Sequence, residues 1–319
     1  MGLIKRTAWI GPLLGLVGVW TLFALAGPAG FRTPGNLETM ARQTAIVGTA
    51  ASGMTLVIIA GGIDLSAGSV IALSTVVIAW LLQAGALPIY AALGGIAAGA
   101  LCGLVNGMLI TRLRVVPFIV TLGTLLIVRG AAKGLAHEQK IDAPLCWLVD
   151  LLSALPPDKQ WMIVPPGVWL AVLLAFLTAG MLRYTRLGRH LFAVGSNEQT
   201  ARLCGVNVER VKIAVYLISS SLAGLAGVFQ FSRLTVGDPT VAVGLELDVI
   251  AAVVIGGGSL AGGEGSVAGS LLGACIMTVI RSGCSQVGMP NWVQEMVTGG
   301  IIVLAVALDR LRHRRQGDS

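Results

Sequence analysis

Long apolar stretches make up most of the chain, and short polar segments separate them. A helix that crosses the hydrocarbon core of a bilayer needs about 20 mostly apolar residues. By that criterion the pattern predicts ten membrane-spanning helices, at residues 9–30, 42–62, 67–86, 89–111, 116–135, 163–183, 212–232, 243–261, 266–284 and 293–309. Glycines at 256–258 and 262–263 interrupt the eighth and ninth segments, which leaves open whether these two are full or discontinuous helices.

The composition indicates a protein whose surface faces mostly lipid rather than water. Only 12% of the 319 residues are charged, 55% are hydrophobic, and the mean hydropathy is +0.85. A soluble domain carries about 25% charged residues, so a soluble protein, a disordered protein and a nucleic-acid-binding protein are all disfavoured. The predicted fold class is therefore an all-α polytopic membrane protein, with residues 1–319 forming one transmembrane domain.

The basic residues predict the orientation, because cytoplasmic loops of membrane proteins carry an excess of Lys and Arg. With the N-terminus in the cytoplasm, ten spans place most of the 22 Lys and Arg residues inside. Lys5 and Arg6 precede the first segment, which we interpret as an uncleaved helix rather than a signal peptide. Both termini are expected to be cytoplasmic.

Two connections between the predicted spans are long. Residues 136–162 form an external loop of mixed charge, and its aromatic residues Trp147 and Trp161 are expected at the membrane interface. Residues 184–211 form the internal connection, which is the most polar stretch of the chain and is expected to be a small folded cytoplasmic element.

Residues 195–206 of this internal connection predict a short helix. Gly195 should break the preceding structure, Asn197 can cap the helix, and Glu198 in the first turn suits the helix dipole. Ala201 with Leu203 and Cys204 would form a small apolar knob, and Gly205 would end the helix. The alternative is a solvated loop with a capping motif.

Glycines recur every four residues in two of the predicted spans, at 95, 99, 103 and 107 and again at 265, 269 and 273. Small residues at this spacing let helix backbones approach closely within lipid. The spacing therefore predicts tight helix packing, and a glycine-lined face beside a pathway is the alternative.

Several polar groups lie where burial in an apolar surrounding is costly, so each needs a partner or a function. Asp64 also fits a helix-capping role, and Glu246 and Asp248 would open a helix, where carboxylates are favoured. The candidates to line a translocation pathway are Asp64, Ser66, Asn106, Thr121, Thr124, Arg129, Gln230, Glu246 and Asp248.

Motifs for several enzyme classes are missing from the sequence. No G-x-x-x-x-G-K-[ST] phosphate loop occurs, so the chain is not expected to hydrolyse ATP itself. His137, His190 and His313 all lie outside the predicted spans, where they cannot serve an intramembrane serine protease. The five cysteines show no metal-ligand spacing, and no catalytic residue, metal site or cofactor is expected in this chain.

Six segments of the chain resemble one family of transport proteins in sequence and in order. They are GGIDLSAGS (61–69), GLVNG (103–107), PFIVTLGT (117–124) with Arg129-Gly130, AVGSNEQTARLCGV (193–206), LELDVIAAVVIGG (245–257) and SLAGGEGSVAG (259–269). The chain resembles the permease subunit of ribose-type sugar importers of the ATP-binding-cassette (ABC) superfamily.

The resemblance implies a bacterial inner-membrane protein that translocates a monosaccharide and is not itself an enzyme. Its implied partners are a second permease subunit, a cytoplasmic ATPase that binds ATP and Mg²⁺, and an extracytoplasmic sugar-binding protein. The family's coupling segment corresponds to residues 195–206. The residues implied to couple the permease to the ATPase are Gly195, Asn197, Glu198, Ala201, Arg202, Leu203 and Gly205.

An ion-coupled secondary transporter of a small polar solute is the alternative function, because such proteins also use broken helices and carboxylates at the midplane of the membrane. GGIDLSAGSV (61–70) and GGGSLAGGEGSV (256–267) suggest a distant internal repeat that fits either function. The sequence leaves the choice between a homodimer and a heterodimer open.

Overall fold

A computed structural model of the chain describes residues 10–156 and 161–317. These residues form twelve α-helices, two 3₁₀ helices at Ala29–Arg32 and Val149–Leu151, and two short strands, β1 (Ile141–Asp142) and β2 (Val236–Gly237). The helices are α1 (Ile10–Ala26), α2 (Pro34–Ile59), α3 (Ala67–Gln83), α4 (Pro88–Leu113), α5 (Pro117–Leu135), α6 (Pro166–Tyr184), α7 (Arg186–Ser196), α8 (Glu198–Leu203), α9 (Val208–Leu234), α10 (Leu245–Ile255), α11 (Val267–Gln286) and α12 (Asn291–Gly317).

Each of the ten predicted spans overlaps one of these helices, and α7 and α8 are the two additional ones. Five helices, α4, α5, α6, α9 and α11, are long and apolar enough to cross a membrane by length and composition. The predicted class of a helical membrane protein is thereby confirmed. Trp9, where the first span was expected to begin, and the pair Lys5 and Arg6 lie outside the described residues.

The eighth predicted span differs from the expectation. It was placed at 243–261, but α10 has 11 residues and ends at Ile255, so it covers about half of the hydrocarbon thickness. Residues 256–266 follow without helical structure, and α11 then runs unbroken from Val267 to Gln286. The interrupting glycines therefore lie between two helices and leave the ninth helix continuous.

Three of the four regularly spaced glycines of α4, at 99, 103 and 107, face α9, and Gly95 faces Ser74 and Ile78 of α3. A Cβ atom at Gly99 would stand 2.5 Å from the carbonyl oxygen of Ser220, and one at Gly107 would stand 2.8 Å from the Cα of Ile213. A Cβ at Gly103 would overlap the carbonyl oxygen of Tyr216. The backbones of α4 and α9 thus touch directly, which confirms the packing interpretation of this spacing.

Residues 136–156, part of the loop that the sequence predicts at 136–162, are more ordered than expected. Strand β1 pairs antiparallel with β2, with Ile141 opposite Gly237. Leu148 and Leu152 are buried, and the hydroxyl of Ser232 in α9 donates to the carbonyl of Val149 at 2.9 Å while it accepts from the N–H of Leu152 at 2.8 Å. The two-residue strands are a small departure from the expected all-α class, and they fix this segment to the helices.

Candidate functional site

The polar connection between α6 and α9 folds into α7 and α8, and side chains cap both helices. The Thr185 hydroxyl accepts a hydrogen bond from the N–H of Gly188 at 3.2 Å at the start of α7. Asn197 Oδ1 accepts from the N–H of Thr200 at 2.8 Å at the start of α8. Because such a cap satisfies an otherwise free helical N–H group, the predicted role of Asn197 is confirmed.

Helix α8 ends at a glycine, as predicted. Gly205 has a φ of +83°, a left-handed backbone conformation that residues other than glycine adopt only at an energetic cost. Its N–H donates to the carbonyl of Arg202 at 3.0 Å, and the N–H of Val206 donates to the carbonyl of Ala201 at 3.0 Å. This pair of hydrogen bonds is the Schellman motif, which fixes the length of α8.

Two expectations for this segment were wrong. Gly195 does not break the preceding structure, because α7 continues through Ser196. Ala201 does not form an exposed knob with Leu203, because Ala201 is 4% exposed whereas Leu203 is 89% exposed. One face of α8 thus packs on the protein, and the other presents Leu203 and Arg202 to the surroundings.

Charged groups attach α8 to the first turns of α9. Lys212 donates from Nζ to Glu198 Oε2 at 2.6 Å, and Arg202 donates from Nη2 to Glu198 Oε1 at 3.2 Å. The hydrogen bond from Lys212, together with its charge and that of Arg202, outweighs partial burial and holds the pKa of Glu198 below its usual range. A polar cleft of about 310 Å³ opens beside this pair, and its lining includes Thr111, Arg114, Glu198, Arg202, Glu209 and Lys212.

A buried polar cluster lies between α3, α4 and α9, and we refer to Asp64, Ser66, Asn106 and Ser220 as the Asp64 cluster. Asp64 Oδ1 accepts from the N–H of Ser66 at 2.9 Å and from its hydroxyl at 2.6 Å. The Ser220 hydroxyl lies 3.4 Å from Asp64 Oδ2, and Asn106 Nδ2 donates to Ser66 Oγ at 3.0 Å. Asp64 is only 1% exposed, so this cluster joins three helices within the protein interior.

Two predicted threonines border the same region. The Thr121 hydroxyl of α5 is 3.1 Å from the carbonyl of Ile63, next to Asp64 in the chain. Thr124 lies one turn further along α5, and its hydroxyl donates to the carbonyl of Thr121 at 3.2 Å. The structure therefore brings Asp64, Ser66, Asn106, Thr121 and Thr124 together.

Arg129 and Glu246 form a second group around the chain that leads into α10. Arg129 donates from Nη1 to the carbonyls of Pro239 and Val241, at 3.0 and 2.7 Å. Glu246 Oε1 accepts from the N–H of Gly244 at 3.3 Å, whereas its Oε2 is buried and has no hydrogen-bond partner within residues 10–156 and 161–317.

The remaining predicted residues are separate from these groups. Asp248 forms an ion pair with Arg281 of α11, with Oδ2 and Nη2 2.5 Å apart. Gln230 is buried in α9, ten residues beyond Ser220, which corresponds to about 15 Å along the helix. The nine predicted pathway residues are thus distributed over several places rather than forming one constellation.

Sequence reasoning missed Ser220 and Tyr216, which belong to this interior. Tyr216 is buried, and its hydroxyl has no hydrogen-bond partner within the described parts of the chain. A Cβ on Gly62 would stand 2.5 Å from that hydroxyl, so Tyr216 lies beside the chain that leads to Asp64. The run Ser219-Ser220-Ser221 within an apolar helix is the sequence signal that points to this position.

Apolar helices in glycine-mediated contact, with polar groups buried between them, are the features of a multi-pass membrane protein. The chain belongs to the family described as branched-chain amino acid transport system / permease component, which matches residues 36–306. This membership confirms the permease class that the six motifs indicated.

Individual relatives cover nearly the whole chain. The chain is 36% identical over 304 residues to the ribose import permease protein RbsC of Escherichia coli (strain K12), which covers 95% of this chain and 94% of that protein. It is 37% identical to RbsC of Bacillus subtilis (strain 168), over 94% of this chain and 92% of that protein. It is 35% identical to the L-arabinose ABC transporter permease protein AraH of Azospirillum brasilense, over 90% of this chain and 83% of that protein. No solved structure matches the chain.

Proposed function

We propose that this chain is the permease subunit of an ABC importer and carries a simple sugar such as ribose or arabinose across the bacterial inner membrane. The observation that carries this proposal is the similarity to two ribose permeases and an arabinose permease along at least 90% of the chain. These relatives favour the ATP-driven importer over an ion-coupled secondary transporter. The chain is then a translocation subunit, and ATP with Mg²⁺ is bound by a separate ATPase.

We further propose ten crossings with both termini in the cytoplasm. The contact between Ser282 and Asn36, 3.0 Å apart, supports this because it puts the start of α2 and the end of α11 on one side. The hydrogen bond from Gly263 N–H to the carbonyl of Ile59, at 2.9 Å, puts the end of α2 and the start of α11 on the other side. In this arrangement α10 and residues 256–266 together make the eighth crossing.

The coupling segment is proposed to meet the cytoplasmic ATPase through α8. Leu203 and Arg202 supply the exposed contact surface, and the Asn197 cap and Gly205 fix the ends of the helix. Glu198 and the buried Ala201 attach α8 to the rest of the permease, so motion of the ATPase reaches the membrane helices. Gly195 lies at the inner end of this segment.

We assign the sugar contacts to the second polar group, Arg129 and Glu246, in preference to the Asp64 cluster. Glu246 keeps a carboxylate oxygen that no other described residue satisfies, and Arg129 is half-buried nearby. A carboxylate and a guanidinium recognise sugar hydroxyl groups as acceptor and donor. The Asp64 cluster, in contrast, satisfies both charged oxygens of Asp64 and the hydroxyl of Ser66 internally, and leaves only the neutral Oδ1 of Asn106 without a partner among the described residues. We propose that it supports the pathway wall, together with Thr121 and Thr124. Gln230 and Asp248 are proposed to line the same pathway.

The proposed complex contains a second permease subunit and an extracytoplasmic sugar-binding protein. Helix α5 presents apolar side chains, among them Phe118, Ile119, Leu122, Leu126 and Ile127, that stay exposed in the single chain. This face is suited to lipid or to a second permease, which is either a copy of this chain or a close relative.

Reconstitution tests the function directly. The chain is inserted into liposomes with its ATPase, a sugar-loaded binding protein is placed outside, and uptake of labelled ribose or arabinose is measured with and without internal ATP. We expect uptake that requires ATP, the ATPase and the binding protein, and liposomes with the ATPase alone provide the control. Accumulation by the chain alone in response to a proton or sodium gradient would contradict the proposal.

A further inference from the structure

Three stretches of backbone meet at Gly195, with no side chain between them. A Cβ at Gly195 would overlap the carbonyl oxygen of Ile59 at the end of α2, and it would stand 2.7 Å from the nitrogen of Gly263. The N–H of Gly263 donates to that same Ile59 carbonyl at 2.9 Å. We call this contact of Gly195, Ile59 and Gly263 the joint.

The contact is equally close from the opposite direction. A Cβ at Gly262 would stand 2.7 Å from the carbonyl oxygen of Gly195 and 3.0 Å from the Cα of Gly61. A Cβ at Gly263 would stand 3.1 Å from the Cα of Ser196. Side chains can change rotamers to absorb a displacement, but directly packed backbone cannot, so the joint behaves as a rigid connection.

The two stretches that meet α7 lead to the polar interior. Asp64 follows Ile59 by five residues, through the non-helical chain between α2 and α3. Gly263 precedes Ser266, whose hydroxyl caps α11 by accepting from the N–H of Gly269 at 3.1 Å. On its other side, the chain from Gly263 leads back to α10, which carries Glu246 and Asp248.

We propose that the joint is the rigid link through which motion of the coupling segment reaches two non-helical segments of the permease, residues 60–66 and residues 256–266, at the same time. This inference rests on the proposed function. Gly195 acts as a positioning residue: it contacts neither the sugar nor the ATPase, but it holds α7 against the ends of α2 and of the 256–266 stretch. When α8 moves, the joint does not open, and residues 60–66 and 256–266 move with α7.

The first test compares two glycine variants in the complete complex. Gly195→Ala forces a methyl group into the joint, whereas Gly180→Ala is a control in α6, where no neighbouring atom of the described chain lies within 4 Å of a Cβ. We expect Gly195→Ala to lower sugar uptake by about tenfold while ATP hydrolysis continues. We expect Gly180→Ala to behave as the unmodified protein, and equal uptake by the two variants would overturn the inference.

The second test locks the joint with a disulfide, in a background in which the five native cysteines are replaced. A Cβ at Gly263 would stand 3.4 Å from the Cβ of Ser196, close to the separation of about 3.8 Å in disulfides. Gly263 has a φ of +76°, so a side chain there strains the backbone, and the reference is therefore the reduced double variant rather than the unmodified protein. We expect Ser196→Cys with Gly263→Cys to retain measurable uptake when reduced and, because the joint does not open, to keep the same uptake when cross-linked. Uptake that is present in the reduced variant and blocked by the cross-link would overturn the inference.

Uptake by the unmodified complex distinguishes a failure of the proposed function from a failure of the joint alone. If it shows no ATP-dependent uptake, the proposed function fails, and the joint fails with it. If it transports sugar while Gly195→Ala matches Gly180→Ala, the joint alone is wrong and the proposed function stands.

Discussion

The ammonium group of Lys212 lies 2.6 Å from Glu198 Oε2, which connects the first turn of α8 to the beginning of α9. Arg202 contacts the other carboxylate oxygen at 3.2 Å, so one carboxylate holds two cations. Glu198 is therefore the electrostatic attachment of α8, the proposed coupling helix, to α9, which is long and apolar enough to cross a membrane.

Reversing this charge should separate ATP hydrolysis from transport. In Glu198→Lys the new ammonium faces Lys212 and Arg202, and the repulsion releases α8 from α9. We expect ATP hydrolysis to continue while uptake falls, as measured on the reconstituted complex. Glu209→Lys introduces the same charge change in the same polar cleft and is expected to couple normally. Unchanged uptake by Glu198→Lys would remove this attachment from the mechanism.

The same carboxylate predicts a pH dependence of stability. Because its pKa is held below its ordinary value of 4.5 in the folded protein, the interaction stabilises fully above pH 4.5 and is lost as the pH falls through the folded pKa. The melting temperature of the unmodified protein should therefore exceed that of Glu198→Gln at pH 7, and the difference should shrink below pH 4.5. A difference that is constant with pH would contradict this assignment.

At Asp64, an amide should replace the carboxylate far better than a methyl group. Asp64→Asn keeps the acceptor oxygen for Ser66, whereas Asp64→Ala leaves two buried donors without an acceptor, at a cost of about 1–3 kcal/mol each. We expect Asp64→Ala to unfold at a lower temperature and to transport less sugar than Asp64→Asn. Asp150→Ala, at an exposed position of the segment between α5 and α6, is the control. Asp158, in the loop at 136–162 that the sequence predicts to be external, lies outside the described residues.

Removing Arg281 and removing Asp248 should lower the stability of the protein by different amounts. Asp248 is 2% exposed and Arg281 is 38% exposed. Removal of the arginine leaves a buried carboxylate unpaired, at a cost of about 3 kcal/mol or more, whereas removal of the carboxylate leaves an arginine that reaches solvent. Arg281→Gln should thus destabilise the protein more than Asp248→Asn, as judged by melting temperature in detergent. The double variant should recover part of the loss.

The contact between α4 and α9 should not tolerate a methyl group. Gly103→Ala brings a Cβ into the carbonyl of Tyr216 and should cost about 1–3 kcal/mol, as overpacking does. Gly134→Ala in α5 meets no neighbouring atom of the described chain within 4 Å and should be neutral or slightly stabilising. Equal melting temperatures of the two variants would refute the direct backbone contact.

Local signals in the sequence were sufficient to locate the long helices and to predict both ends of α8. Asn197 and Gly205 act within three residues of their own positions, so the cap and the end of α8 could be predicted without any knowledge of tertiary structure. The glycine spacing of α4 was equally informative, because it repeats on one face of one helix. The length of α10 was overestimated since apolar residues continue across the turn at Gly256.

The arrangement of the polar groups depends on contacts between residues that are far apart in the chain. Asp64 and Ser220 are separated by 156 residues, and Arg129 reaches carbonyls 110 and 112 residues away. No periodicity in the sequence encodes such pairs. The sequence therefore identified the polar residues but could not predict which of them lie together in space. The inward orientation of Ala201 was missed for the same reason, because it is set by packing on neighbouring helices.

The line of glycines along α4 also limits how this protein can diverge. At Gly99, Gly103 and Gly107 every other amino acid adds at least one carbon where the backbone of α9 already lies, so substitutions there lower the stability of the fold. Helices that touch through side chains can repack around a substitution, whereas the α4–α9 contact cannot.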